Sequence, residues 1–128
     1  MSWIDTAISE FGRTLGLHEL AFNDRSVINL VYEMSGSLYL EKSDSSLLVY
    51  LCRDIERPNA VLFSLALELC HWRHNLSYPV NAALYESRRL IFSTLLTEEQ
   101  VSVPTLGEVI RLLEQLHNQA SEGASREG

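Results

Sequence analysis

The first part of the chain carries apolar side chains every three or four positions, which is the spacing of an amphipathic helix. Ser2 and Asp5 have the spacing of a capping box, and Gly16 is suited to end a helix in the left-handed conformation. These signals predict a first helix between residues 2 and 16. Its apolar stripe consists of Trp3, Ile4, Ala7, Ile8, Phe11 and Leu15.

Three short segments with strand character follow this helix, and polar turns separate them at hairpin-like distances. The segments are Val27–Glu33, Ser37–Lys42 and Leu47–Arg53. Together they predict an antiparallel meander. Apolar and polar residues alternate in a sheet that has one wet face, but here Leu48 and Tyr50 alternate with neighbours that are equally apolar. Both faces of the predicted sheet therefore require cover.

A second helix is predicted from Pro58 to about His74, and apolar residues surround nearly its whole circumference. Only Ser64, Glu68 and His71 form a thin polar line. In a domain this small, such a helix must be covered on two sides, and a second subunit is the simplest cover for the outer side. We predict that this subunit interface contains Val61, Leu65, Leu69 and Trp72.

Two further strand candidates, Val80–Tyr85 and Leu90–Leu96, precede a last amphipathic helix. The order of elements is α-β-β-β-α-β-β-α, which predicts an α+β fold with helices packed on an antiparallel sheet. A chain of 128 residues suits a single domain, which we place at residues 1–120. The polar residues 121–128 offer nothing to bury, so we predict a disordered tail there.

The charge of the chain argues against nucleic acid and membrane surfaces as partners. The net charge is −7, Lys42 is the single lysine, and Arg88 and Arg89 form the only adjacent basic pair. A protein that neutralises phosphates needs clustered Lys and Arg. An anionic membrane surface also repels a chain with this net negative charge. Residues 1–5 have no basic residue and include Asp5, so we do not expect a signal peptide, and no apolar run reaches the roughly 20 residues that span a bilayer. We expect a cytoplasmic protein.

No residue pattern points to catalysis. Cys52 and Cys70 lie in apolar runs and are expected to be buried thiols. His71 and His74 lie close to Cys70 and could form part of a zinc site, but no fourth ligand follows at a suitable spacing. His117 is expected at a solvated helix end. The serines cluster in turns, where their hydroxyls bond local backbone. We therefore predict no enzyme activity, no metal and no cofactor.

The size, the acidity, the order of elements and the apolar second helix resemble the class I type III secretion chaperones, the Tir-chaperone family. The similarity is greater still to its SycN branch, the small chaperones of the secretion gatekeeper, and extends from residue 1 to about residue 117. The residues that carry it are Met1-Ser2-Trp3-Ile4, Ile8-Ser9, Phe11, Leu15-Gly16, Ser35-Gly36, Leu38, Leu40, Glu41, Leu51, Arg53, Ala66-Leu67, Pro79-Val80, Leu90, Phe92, Pro104 and Leu106.

The resemblance implies a function. Proteins of this kind dimerise through the second helix and the neighbouring strand. They bind the N-terminal segment of a secreted substrate in extended form and keep it soluble and secretion-competent without ATP. For the SycN branch, the partner implied is a second small class I chaperone, although a homodimer stays open, and the client is the secreted gatekeeper. The location implied is the bacterial cytoplasm, or the periphery of the inner membrane through the secretion apparatus.

The client surface is predicted on the sheet and on part of the first helix, although each of its residues could instead belong to the core. The predicted residues are Trp3, Ala7, Phe11, Ile28, Leu30, Leu38, Leu40, Leu48 and Tyr50. Two other functions stay open at this point. One is a small regulatory or scaffold subunit of a permanent cytosolic complex that has no secreted client. The other is an enzyme whose active site is shared across a dimer.

Overall fold

The computed structural model describes residues 3–17, 20–32, 36–55, 60–71, 76–86 and 88–127. Within these residues the chain has the predicted order α-β-β-β-α-β-β-α, so the predicted α+β fold is confirmed. A short 3₁₀ turn joins the last strand to the last helix. The elements are α1 Trp3–Thr14, β1 Val27–Tyr32, β2 Gly36–Lys42, β3 Ser46–Asp54, α2 Ala60–Leu69, β4 Asn81–Tyr85, β5 Arg89–Thr97 and α3 Val103–Glu127.

The five strands form one antiparallel sheet in the order β1-β2-β3-β5-β4, which leaves β1 and β4 at its edges. One face of this sheet is buried under the helices, and α3 packs on β3 and β5 at its centre. We call this side the covered face. Its fully enclosed residues are Leu38, Leu40, Leu47, Val49, Leu51, Phe92 and Leu96.

Gly36 begins β2 at a position that only glycine can occupy. Its φ is +112°, a backbone conformation that L side chains rarely adopt. A Cβ built on Gly36 would lie 2.2 Å from the carbonyl oxygen of Cys52 on the neighbouring strand. The glycine therefore lets β2 approach β3 closely at the start of their pairing.

The last helix continues beyond the predicted domain end, because α3 extends through residues 121–127. Ala120 is fully buried and Ala124 is 8% exposed. A Cβ on Gly123 would lie 3.1 Å from Cδ1 of Leu65, so α2 and α3 are in close contact here. The predicted disordered tail is wrong for these residues, since small side chains on one side of the helix allow a tertiary contact that the polar composition does not reveal.

His117 is also placed differently from the prediction of a solvated residue, because it is only 2% exposed. Its Nε2 lies 2.8 Å from the carbonyl oxygen of Leu51, and a carbonyl can only accept, so Nε2 carries the hydrogen. The ring meets Phe92 edge-on, with centroids 4.7 Å apart. Burial lowers the pKa of His117 to about 4, so the imidazole is neutral near pH 7.

Candidate protein-binding surfaces

The face of the sheet opposite the helices presents a row of apolar and aromatic side chains. Strand pairing places them on one side, with Leu48 opposite Leu95 and Tyr39 opposite Tyr50. Val31 is 73% exposed and Leu95 is 61% exposed. No described element of the chain covers these two side chains. We call this side the open sheet face and define it by Val27, Val31, Tyr39, Leu48, Tyr50, Ile91 and Leu95.

Two stacked tyrosine rings lie at the centre of the open sheet face. The rings of Tyr39 and Tyr50 stack with centroids 4.9 Å apart and an interplanar angle of 8°. The Tyr50 hydroxyl donates a hydrogen bond of 2.5 Å to Oε1 of Glu41. Burial and the nearby Glu41 carboxylate raise the pKa of Tyr50, so the phenol stays protonated and keeps donating. The two rings form a flat apolar platform against which another chain could pack.

The sheet residues predicted for the client surface lie on opposite faces. Leu48 and Tyr50 belong to the open sheet face, whereas Leu30 and Leu38 pair on the covered face. Leu38 and Leu40 are fully buried, Ile28 is 4% exposed, and Leu30 is half-buried against the core. The prediction that they form one surface is wrong. Because both alternating sets of residues are apolar, the sequence could not distinguish the two faces.

The predicted residues of the first helix divide in the same way. Ala7 and Phe11 are each 5% exposed and pack in the core. Trp3 is 58% exposed, yet its ring is held in place because the indole N–H donates to the carbonyl oxygen of Val101 at 2.7 Å. Trp3 is therefore the helix-one residue of the predicted set that stays available to another protein.

The second helix buries Leu62 and Ala66 and turns another side outward. Among the residues predicted for the subunit interface, Val61 is 38% exposed, while Leu65 and Leu69 are half-buried against the core. Trp72 lies outside the described residues. Leu67, which the prediction missed, is 49% exposed. A helix that is apolar all round carries no signal for its outer side, so only the packed structure could identify Leu67.

The described residues contain no group of three or more His, Cys, Asp or Glu side chains that could hold a metal ion, and His74 lies outside them. Burial raises the pKa of the Cys70 thiol to about 11, so it is protonated and weakly nucleophilic near neutral pH. None of the helices in the described part of the chain has the length and apolar character needed to cross a membrane.

Solved structures share this fold. The Yersinia pestis type III secretion chaperone SycH, in complex with a stable fragment of YscM2, has a TM-score of 0.65 at 19% identity, with 94% of this chain and 98% of that chain covered. A chain of the HopA1–SchA chaperone–effector complex has a TM-score of 0.68 at 21% identity, covering 96% and 94%. A chain of the ExsC–ExsE complex has a TM-score of 0.69 at 15% identity, covering 92% and 96%.

The fold is therefore that of the type III secretion chaperones. The sequence profile of one family, described as type III secretory system chaperone SycN, matches residues 3–121. Since the match covers nearly the whole chain, the protein belongs to the SycN family, and the resemblance found in the sequence is confirmed. No curated protein matches the chain by sequence.

Proposed function

We propose that this protein is a chaperone that binds the N-terminal segment of a type III secretion substrate in extended form. It keeps that client soluble and secretion-competent in the cytoplasm without using ATP. The observation that carries the proposal is the open sheet face, where a SycN-family chain exposes Val31 and Leu95 with no cover from its own described residues. An apolar surface of this kind is typical of an interaction site.

The chemistry of the open sheet face suits an extended chain. Burying apolar surface contributes about 25 cal/mol per Å², and the tyrosine platform offers a flat area for the client's apolar side chains. The edge strand β1 could also pair with a client strand through main-chain hydrogen bonds. A net charge of −7 keeps a protein with such a surface soluble.

We propose that the second subunit packs on the outer side of α2 and on the neighbouring strand β4. Val61 and Leu67 expose apolar surface there and replace the half-buried Leu65 as the central residues of the predicted interface. Membership of the SycN family supports a second small class I chaperone as the partner and a secreted gatekeeper as the client. Family membership also favours the chaperone function over two alternatives: a regulatory subunit without a secreted client and an enzyme with an active site shared across a dimer.

The test is purification of the tagged chain from a secreting cell that also expresses the neighbouring secretion genes, followed by mass measurement of the complex. We expect a second small subunit and one secreted protein bound through its N-terminal segment. Leu95→Ser should release the client but keep the subunit pair. Leu67→Ser should weaken the pair. A stable complex that contains no secreted protein would contradict the proposal.

A further inference from the structure

The open sheet face carries a carboxylate among its apolar side chains. Glu41 of β2 lies between Val27 of β1 and Leu48 of β3, which are its pairing partners on the neighbouring strands. Leu95 of β5 lies beside Leu48 in the same row. Side chains of paired residues stand about 5 Å apart on one face of a sheet. A segment that covers Val27 and Leu48 therefore covers Glu41 as well.

The Glu41 carboxylate is held in a fixed position. Its side chain is half-buried, and its Oε1 accepts the hydrogen bond from the Tyr50 hydroxyl. The Tyr50 ring is in turn stacked on the Tyr39 ring. A neutral hydroxyl leaves the negative charge in place, and a carboxylate has further lone pairs for other donors. Glu41 therefore presents a fixed acceptor to a molecule on the open sheet face.

Two basic residues of the sheet have acidic partners other than Glu41. Lys42, the next residue along β2, points to the opposite side of the sheet and pairs with Asp5 of α1 at 2.8 Å. Arg89 lies on the same side as Glu41 but pairs with Asp54 at the other end of the sheet, about 20 Å away along the strands. Neither of them therefore neutralises the charge of Glu41.

The end of the sheet around Glu41 is acidic. Residues 23–26 before β1, residues 43–45 between β2 and β3, and the 3₁₀ turn Glu98–Gln100 after β5 all lie at this end. The acidic residues of these three segments are Asp24, Asp44, Glu98 and Glu99. Arg25 is the basic residue among them. The excess negative charge attracts a cation toward this end of the open sheet face.

Covering this part of the open sheet face with an unsuitable side chain is costly. An apolar client residue would remove water from the Glu41 carboxylate without replacing its hydrogen bonds, and a buried unpaired charge is strongly unfavourable. An acidic client residue would add repulsion between like charges. A lysine or arginine instead supplies a charge-assisted hydrogen bond to the fixed acceptor. The charge of Glu41 therefore selects among clients that the apolar residues alone would accept.

We infer that the client segment places a lysine or arginine against Glu41, with apolar residues on either side of it that contact Val27 and Leu48. Glu41 is then a specificity-determining residue of the client site. The inference rests on the proposed function, because it takes the open sheet face as the place where the client binds. It adds the charge that the client must carry at one position.

The first test compares three labelled synthetic peptides of about 12 residues by fluorescence anisotropy with the purified chain. Leucine alternates with serine in each peptide, so that an extended peptide has one apolar side, and one central leucine is replaced by arginine, glutamine or glutamate. The native chain should bind the arginine peptide about tenfold more tightly than the glutamate peptide, with the glutamine peptide between them. Leu95→Ser should weaken binding of the arginine peptide if that peptide lies on the open sheet face.

The second test changes the carboxylate itself. Glu41→Gln keeps an oxygen that accepts from the Tyr50 hydroxyl but removes the charge, so it should weaken binding of the arginine peptide about three- to tenfold and change binding of the glutamine peptide by less than about twofold. Glu41→Lys should reverse the preference in favour of the glutamate peptide. The matched control is Glu99→Gln, which removes the same charge from an exposed residue at this end of the sheet and should change binding by less than about twofold.

Equal binding of the three peptides by the native chain would overturn the inference, and so would a preference for arginine that survives Glu41→Gln or that Glu99→Gln removes equally. Absence of binding by the arginine peptide, or binding that Leu95→Ser leaves unchanged, would overturn it too. A complex from the secreting cell without a secreted protein contradicts the proposed function instead. Peptides that bind through Leu95 without regard to charge leave the proposed function intact and remove only the role of Glu41.

Discussion

The two faces of the sheet are almost equally apolar in sequence, but they differ in how far their side chains are buried. On the covered face, Leu96 and Phe92 are fully enclosed, whereas the adjacent Leu95 on the open sheet face is 61% exposed. Among the described residues, the helices pack on the covered face of the sheet. The comparison shows that apolar character at a strand position does not by itself identify a core residue. The side that the helices leave bare is the one available to other proteins.

The largest expected difference between the faces comes from two neighbouring leucines. Leu96→Ala removes a fully buried side chain and should lower the free energy of unfolding by about 3–5 kcal/mol. Leu95→Ala removes an exposed side chain and should change it by less than about 0.5 kcal/mol. Urea denaturation of the isolated chain measures both. Equal losses would mean that the chain covers the open sheet face itself.

The element order could be predicted from periodicity and turn residues, because both are local signals. The strand bounds agree within a few residues, and Gly16 has the positive φ of 79° expected for its position at the end of α1. The α+β arrangement follows, since five short strands, two amphipathic helices and one helix that is apolar nearly all round have few ways to bury their apolar surfaces. This much of the fold requires no knowledge of tertiary contacts.

The candidate surfaces could be predicted only in part. The alternation of side chains along a strand places Leu48 on the opposite sheet face from its two neighbours. It does not show which of the two faces the helices cover. The outer side of α2 and the burial of Ala124 both depend on how α2 and α3 pack, which is a tertiary property. The exposed Trp3 ring is held by a hydrogen bond to Val101, a residue far away in sequence. The resemblance to a family identified the function class, but it did not locate the exposed residues.

A smaller effect is expected from pH, and it comes from a buried group on the covered side. The pKa of buried His117 is about 4, below its ordinary value of 6.5, because burial penalises the charged imidazolium. The unfolded chain therefore binds a proton first as pH falls below about 6.5, and stability declines until about pH 4. The total loss is about 3 kcal/mol at 1.36 kcal/mol per pH unit.

Urea denaturation at pH 7 and pH 4.5 measures most of this loss. His117→Gln keeps a polar side chain that can donate to Leu51 but does not titrate in this range. The variant should be less stable than the native chain at pH 7 because the ring contact with Phe92 is lost. Its stability should fall less between the two pH values. An equal fall in the native chain and the variant would assign the pH dependence to other groups.

The smallest expected effect concerns two ion pairs, one beside the helical layer and one at the end of the open sheet face. Lys42 Nζ lies 2.8 Å from Oδ1 of Asp5 and joins β2 to α1, with side chains only 27% and 30% exposed. Phe22 lies under the same ammonium group, 5.0 Å from it at the ring centroid. Asp5→Asn should therefore lower stability by about 0.5–1 kcal/mol, and less at high salt.

The matched control is the pair between Arg89 and Asp54, whose side chains are 48% and 82% exposed and whose Nε–Oδ1 distance is 3.1 Å. Asp54→Asn should produce no measurable change in unfolding, because water screens a pair this exposed. Double-mutant cycles with Lys42→Met and Arg89→Met isolate each pair from the other effects of the substitutions. A larger coupling for the exposed pair than for Lys42 and Asp5 would mean that the end of the open sheet face is shielded from water after all.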